Sequence, residues 1–340
     1  MIKGSTSMNF KPFLLKPAGK DYLWGGSRLN DDFSKGVDMS PLAETWECST
    51  HPDGPSIVAS GEYAGEDLRN VLRSHPEYLG TNPSRNKALP AGELPILIKL
   101  IDAKEDLSVQ VHPDDAYARE HEGGSLGKSE MWYVLDAKKD AKLVYGFYHD
   151  INKQTLMKSL VDGSVEKYLQ KIDVRADDVF FVEAGIVHAI GAGTLLAEIQ
   201  ESSNLTYRMY DYNRVDKNGR KRALSIDKAL EVVNLRGSST PRQPLRVLKY
   251  RKGGASEFLC RCKHFQVERL LVNTESYREL FDFQTDSSSF QVLLCTSGCG
   301  VLLYGNGEAL HFFRGDCIFV PANSVKFKIH ARAKFLKVSC

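Results

Sequence analysis

At 340 residues with a formal net charge of +2, the chain is long enough for two domains of ordinary size and too evenly charged to single out nucleic acid or an anionic membrane as a partner. No apolar run reaches the roughly 20 residues of a membrane span, and the first eight residues lack the apolar core of a secretory signal. A cytoplasmic protein is expected, with a short disordered lead at 1–8 and Met8 as an alternative start.

Taken in chain order, a helical spacing of Leu68, Val71 and Leu72 predicts a helix within 64–78. Short apolar runs at 96–100, 107–112 and 131–135 read as strands. A second helical stretch, 153–171, carries Leu156, Met157, Leu160, Val165 and Leu169 and is interrupted by Gly163. Strands follow at 179–182 and 194–199. The densest basic stretch, 214–222, reads as a hairpin tip or loop around Asn218-Gly219. Ser225 is a candidate N-cap for a helix over 225–235. Further strands are expected at 291–294, 301–304 and 317–320, with Gly, Asn and Asp clusters between the runs. The pattern is mainly β with helical excursions, an antiparallel barrel or sandwich rather than a doubly wound sheet. The seven cysteines, Cys48, Cys260, Cys262, Cys295, Cys299, Cys317 and Cys340, are odd in number and lack paired Cys-x2-Cys clamps, so reduced structural thiols are expected.

A faint internal repeat supports two related β modules. Asp178-Val-Phe-Phe-Val-Glu-Ala-Gly-Ile-Val-His188 aligns without gaps on Asp316-Cys-Ile-Phe-Val-Pro-Ala-Asn-Ser-Val-Lys326. The prolines and polar residues at 240–244 mark the junction. Lys326 stands at the position of His188, and an ammonium does not ligate a cation, so the second module is expected to be metal-free.

In the first module, Leu107-Ser108-Val109-Gln110-Val111-His112 alternates apolar and polar. Gln110 and His112 therefore share one strand face, roughly 7 Å apart. Glu130, before an aromatic strand, and His188, after a glycine turn, complete a candidate metal set of Gln110, His112, Glu130 and His188. Imidazole and carboxylate donors suit zinc, with other divalent transition metals as substitutes. Singly, each residue also has a plain structural role open to it; Glu130, for one, could cap a turn or pair with Lys128. A divalent ion with one carboxylate leaves about one positive charge, to which Lys128 and Arg208 add. Such a pocket favours an oxygen-rich anion such as a sugar phosphate. An ion pair with Asp211 is the alternative for Arg208, and a solvated loop charge the alternative for Lys128.

These residues sit in longer motifs: Ala43-Glu44-Thr45-Trp46-Glu47, Ile98-Lys99-Leu100-Ile101-Asp102-Ala103, Gln110-Val111-His112-Pro113, Gly127-Lys128-Ser129-Glu130-Met131-Trp132-Tyr133, Gly185-Ile186-Val187-His188 and Tyr207-Arg208-Met209-Tyr210-Asp211. In that order, and from Trp24-Gly25-Gly26 onward, the chain resembles the type I mannose-6-phosphate isomerases, particularly their short bacterial form, which are zinc-dependent cupins. The resemblance implies a double-barrel cupin (jelly-roll) architecture. A metal-binding barrel with helical insertions is expected over 1–240, and a degenerate, metal-free barrel over 241–340. It implies one zinc per chain on Gln110, His112, Glu130 and His188, an active-site arginine at Arg208, and roles for Lys128 and Glu198 in substrate handling or proton transfer. The implied reaction interconverts mannose 6-phosphate and fructose 6-phosphate through a cis-enediol, in a monomer or homodimer. Glu198 is the candidate base, its pKa expected to be raised toward neutrality, with a hydrogen bond to a zinc-bound histidine as its alternative role. One departure stands out: Asn204 occupies a position where the family usually carries Asp, and an amide does not accept a proton as a carboxylate does. The competing readings are a non-catalytic cupin that binds sugar or metal, and another cupin metalloenzyme such as an iron oxygenase or a nucleotide-sugar epimerase.

Overall fold

The computed structural model describes residues 10–84, 89–90, 92–215, 218–239, 241, 243, 245–305 and 307–340. The lead at 1–8 and parts of the 214–222 and 240–244 segments lie outside them.

Three antiparallel sheets carry the fold. A six-stranded sheet runs Val179–Val182, Glu130–Ala137, Thr194–Glu201, Ile96–Ala103, Glu44–Cys48, Ala18–Lys20. A five-stranded sheet runs Tyr207–Tyr210, Val109–Val111, His188–Ile190, Lys142–Phe147, Leu169–Asp173. A ten-stranded sheet closes the C-terminal half around long strands at Gln291–Tyr304 and Phe327–Ser339. This is the mainly β, cupin-like architecture expected.

The six-stranded sheet is buried on both faces, which is why its strands read as near-continuous apolar runs. Ile96, Ile98 and Leu100, with Leu195, Ala197 and Ile199, pack toward Val267, Val292, Phe319 and Leu336 of the C-terminal half. On the opposite face Ile101, Trp132, Val134 and Leu196 meet Leu143 and Ile190 of the five-stranded sheet. The site lies on this second face. The outer face of the five-stranded sheet buries Val109, Val111, Val144 and Met209 under the helices Lys153–Asp162 and Ile226–Val232. That leaves Ser108, Gln110 and His112 pointing inward, as period-two alternation requires.

Several boundaries differ from expectation. The helix at 64–78 is shorter, Leu68–Ser74, capped by the Asp67 carboxylate accepting from Arg69 N at 2.7 Å and followed by a 3-10 turn at Pro76–Leu79. The 153–171 helix stops at Asp162, with Gly163 in the left-handed region at φ 77°, and Leu169–Asp173 is an edge strand instead. Ser225 precedes Ile226–Val232 but makes no side-chain cap. The two halves of the repeat both form strands, Val179–Val182 and Cys317–Val320. Lys326 is exposed and 3.9 Å from Asp282. Hydrogen bonding does not divide the chain at 240: Phe13–Lys16 pairs with Cys317–Val320 and with Ile57–Val58, so two N-terminal strands belong to the C-terminal sheet. All seven cysteines are free thiols.

Candidate active site and metal centre

Three strands of the five- and six-stranded sheets bring their ends to one point. His112 follows the strand Val109–Val111, Glu130 opens Glu130–Ala137, and His188 opens His188–Ile190. Gly185 turns the chain into His188 with φ +88°, a conformation L side chains rarely adopt, while its N–H donates to His112 O at 2.9 Å. The turn and the first ligand strand are thereby tied together.

His112 Nε2 lies 3.1 Å from His188 Nε2 and 3.5 Å from Glu130 Oε2, and His188 Nε2 lies 3.3 Å from Glu130 Oε1. Donors about 2.0–2.2 Å from a tetrahedral ion are separated by roughly 3.3–3.5 Å, so the two Nε2 atoms and the Glu130 carboxylate, which meets one with each oxygen, have separations of the size such a site needs. His188 Nδ1 faces the Ile186 carbonyl at 2.8 Å. A carbonyl only accepts, so the proton is on Nδ1 and the Nε2 lone pair is aimed into the cluster. Glu130 Oε1, fully buried, has no hydrogen-bond partner. Burial, then the Lys128 charge, holds His188 down to about 4 and His112 well below its ordinary value, so both rings are neutral and able to ligate. Burial, then the Glu198 charge, pushes the Glu130 carboxyl above the usual range despite the pull of the Lys128 ammonium. The donor set fits a divalent transition metal.

Beside this cluster is a cavity of about 300 Å³ lined by Gln110, Lys128, Glu198 and Arg208, and by Tyr22, Trp24, Glu44, Lys99, Ser108, Asn204, Thr206 and Arg222 among others. Lys128 is buried, its Nζ 3.0 Å from His112 Nε2 and 2.5 Å from Glu130 Oε2, so it stands where cavity and cluster meet rather than in solvent. Gln110 is the register partner of both His188 and Arg208.

Glu198 departs from its expected chemistry. Burial acts to raise it, but Lys128 and Lys99 together hold the carboxyl well below the usual range. Lys99 Nζ is 3.1 Å away and Lys128 Nζ 3.9 Å, while Trp132 Nε1 donates at 3.2 Å; among the described residues no histidine bonds to it. Cross-strand register makes this arrangement, since Lys99 and Trp132 are the two direct neighbours of Glu198 in the sheet.

Arg208 donates to Ser108 Oγ at 3.1 Å and to Ala223 O at 3.0 Å. Its expected competitor, Asp211, is occupied by Arg214 and Arg222. Asn204 lines the cavity and donates to Asp53 Oδ2 at 2.8 Å. A carboxylate at 204 would face another carboxylate there. Lys99, Glu44 and Arg222 are cavity residues that no single-chain motif singled out as functional, although Glu44 and Lys99 both fall inside the quoted runs.

The phosphomannose isomerase type I catalytic domain matches residues 13–139. The chain is 36% identical to the probable mannose-6-phosphate isomerase GmuF of Bacillus subtilis, over 96% of this chain and 98% of that protein. The chain belongs to the type I mannose-6-phosphate isomerase family. As an isomerase of that family it is also 40% identical to the mannose-6-phosphate isomerase of Streptococcus mutans, over 66% of this chain and 68% of that one. The crystal structure of the mannose 6-phosphate isomerase from Bacillus subtilis superposes with a TM-score of 0.84 at 32% identity, covering 97% of the isomerase and 99% of that chain. A mannose 6-phosphate isomerase bound with zinc and yttrium shares the fold at a TM-score of 0.70 and 15% identity, over 96% and 99% of the two chains.

Proposed function

We propose that this protein is a cytoplasmic isomerase that interconverts mannose 6-phosphate and fructose 6-phosphate, with one catalytic zinc held by Gln110, His112, Glu130 and His188. The observation that carries the reading is the juxtaposition of three converging metal donors with a cavity whose Arg208, among the described residues, has no carboxylate partner. Bound there, zinc would supply Lewis-acid polarisation of the sugar oxygens and orient them.

The chain's own residues do the rest. The cavity is of the smallest size class that encloses a small ligand, about 300–1,000 Å³. Arg208, held by Ser108 and Ala223, presents a guanidinium to the phosphate, with Arg222 beside it on the cavity wall. Lys99 and Lys128, both buried, place fixed positive charge on the cavity wall, where negative charge develops on adjacent oxygens as the proton leaves C2 for the cis-enediol. Glu198, on the cavity wall between those lysines, is the group assigned to carry the proton between C2 and C1. Its carboxylate is ionised at neutral pH and weakly basic. The transfer therefore depends on the same positive charge lowering the pKa of the sugar carbon's proton toward that of Glu198. Under this assignment catalysis belongs to the barrel of residues 1–240, and residues 241–340 brace it.

A coupled assay for fructose 6-phosphate formed from mannose 6-phosphate, run before and after chelation, tests the reading. Turnover lost on chelation and restored by zinc is expected. A folded, zinc-loaded protein that forms no fructose 6-phosphate would overturn it.

A further inference from the structure

A second convergence of ligating atoms lies outside the active site, where the two halves of the chain meet. Asp115 opens the helix Asp115–His121, Glu201 closes the strand Thr194–Glu201, and His264 sits in the tight turn between Gly254–Arg261 and Gln266–Asn273. One oxygen or nitrogen from each lies within 4.8 Å of the other two. His264 Nδ1 is 3.2 Å from Glu201 Oε2, yet Oε2 makes no hydrogen bond, although Glu201 is only 2% exposed. Two polar atoms that close with no hydrogen bond between them have nearly the separation of two ligands on one ion, about 3.3–3.5 Å.

The other oxygens of the two carboxylates are already in use. Asp115 Oδ1 accepts from Gly127 N at 3.1 Å, and Glu201 Oε1 accepts from Ser129 N at 2.8 Å. Between them Lys128 N donates to Pro113 O at 3.0 Å. Three consecutive backbone N–H groups around the active-site lysine are thus held, two of them by carboxylates of this cluster.

The two carboxyls crowd each other: burial, then the neighbouring Asp115, pushes Glu201 up to about 8, and a cation bound between them would displace its proton. Burial keeps the His264 ring on the neutral side, where its nitrogen is a ligand. Lys263 Nζ reaches Asp115 Oδ2 only at 3.4 Å, from a side chain that is 79% exposed, and does not fill the centre. Two carboxylates and one imidazole are a donor set for zinc or another divalent transition metal.

We propose that Asp115, Glu201 and His264 form a second divalent-metal site, structural rather than catalytic, which ties the C-terminal barrel to the Gly127–Ser129 backbone and so fixes Lys128 and Glu130. The barrel expected to be metal-free would then contribute one ligand to a shared ion.

Zinc uptake by chelator-stripped protein, measured by equilibrium dialysis and elemental analysis, tests this with no reference to turnover. His264→Ala, on a turn, should keep the wild-type circular dichroism and take up one equivalent of zinc fewer. His112→Ala should retain the equivalent that depends on His264, which separates this ion from the one in the active site. Should His264→Ala fail to fold, Asp115→Asn keeps the acceptor for Gly127, removes the charged ligand and should show the same loss. Zinc uptake equal to wild type in a folded His264→Ala or Asp115→Asn protein would overturn the proposal. So would a wild-type uptake abolished by His112→Ala alone, which would leave the two carboxyls sharing a proton.

Discussion

Arg222 grips Asp211 with two nitrogens, Nε donating to Oδ2 at 2.8 Å and Nη2 to Oδ1, while Arg214 Nη2 takes Oδ1 at 2.5 Å. Asp211 is nearly buried, and burial alone would raise its pKa, but the two guanidiniums hold it below the usual carboxylate range. A carboxyl with a depressed folded pKa stabilises the native state above its unfolded pKa, about 4, and that stability is lost as pH falls through the lower folded value. Asp211→Asn should therefore cost about 1–3 kcal/mol at pH 7, because two half-buried arginines lose the anionic charge and one of the two acceptor oxygens they share. The gap between the variant and the wild type in denaturant unfolding should narrow on acidification below pH 4. A gap that stays constant into strong acid would show that the ion pairs contribute nothing.

Because Asp211 is taken, Arg208 is left for an anion from outside. Arg208→Ala should lower kcat/KM for mannose 6-phosphate by about 100-fold, the scale of a lost charge-assisted contact of 1.5–3 kcal/mol. The loss should nearly vanish with mannose, which lacks the phosphate. An equal loss with both sugars would move Arg208 away from the phosphate and toward the reacting carbons.

The metal donors make a separate prediction. His112→Ala and His188→Ala should each retain a folded spectrum, lose the active-site zinc, and lose turnover by on the order of 1,000-fold or more, since a Lewis acid contributes several kcal/mol to such a step. Elemental analysis and the coupled assay on the same preparation check it. Full activity in a metal-free His112→Ala protein would remove the ion from the mechanism.

How much of this was legible in the chain depends on whether the signal was local. Val179–Val182 and Cys317–Val320 match the reading residue for residue, because aromatic and β-branched runs between turn residues carry their own signature. Leu169–Asp173 was hidden, since Leu169 continues the helical spacing of Leu156, Leu160 and Val165 across the left-handed Gly163. The alternation in 107–112 sends Gln110 and His112 inward and Val109 and Val111 outward as read, but Leu107, ahead of the strand Val109–Val111, turns inward and lines the cavity instead of joining the two valines. Lys99 shows the opposite case. Within an apolar run it looks like an exception in a core strand, and only pairing with Glu198, far along the chain, turns it into a charge beneath the cavity. The attachment of Phe13–Lys16 to the C-terminal sheet is equally non-local and leaves no trace in either segment alone.

Glu198 is where sequence and structure pull apart most, and a deuterium experiment can decide its role. Glu198→Gln keeps an oxygen to accept from Trp132 Nε1, so the side chain stays in place, and it removes the charge that faces Lys99 and Lys128. Lys99 retains Glu44 at 3.6 Å, which limits the damage to the fold. Loss of a positioned proton carrier lowers kcat by typically about 100- to 10,000-fold, with KM little changed when binding is untouched. In deuterated water the wild type should place solvent deuterium on the sugar carbon during turnover, and Glu198→Gln should lose exchange and isomerisation together. If exchange persists while isomerisation falls, another group carries the proton and Glu198 serves by holding Lys99 and Lys128. A change confined to KM would instead make Glu198 a binding residue.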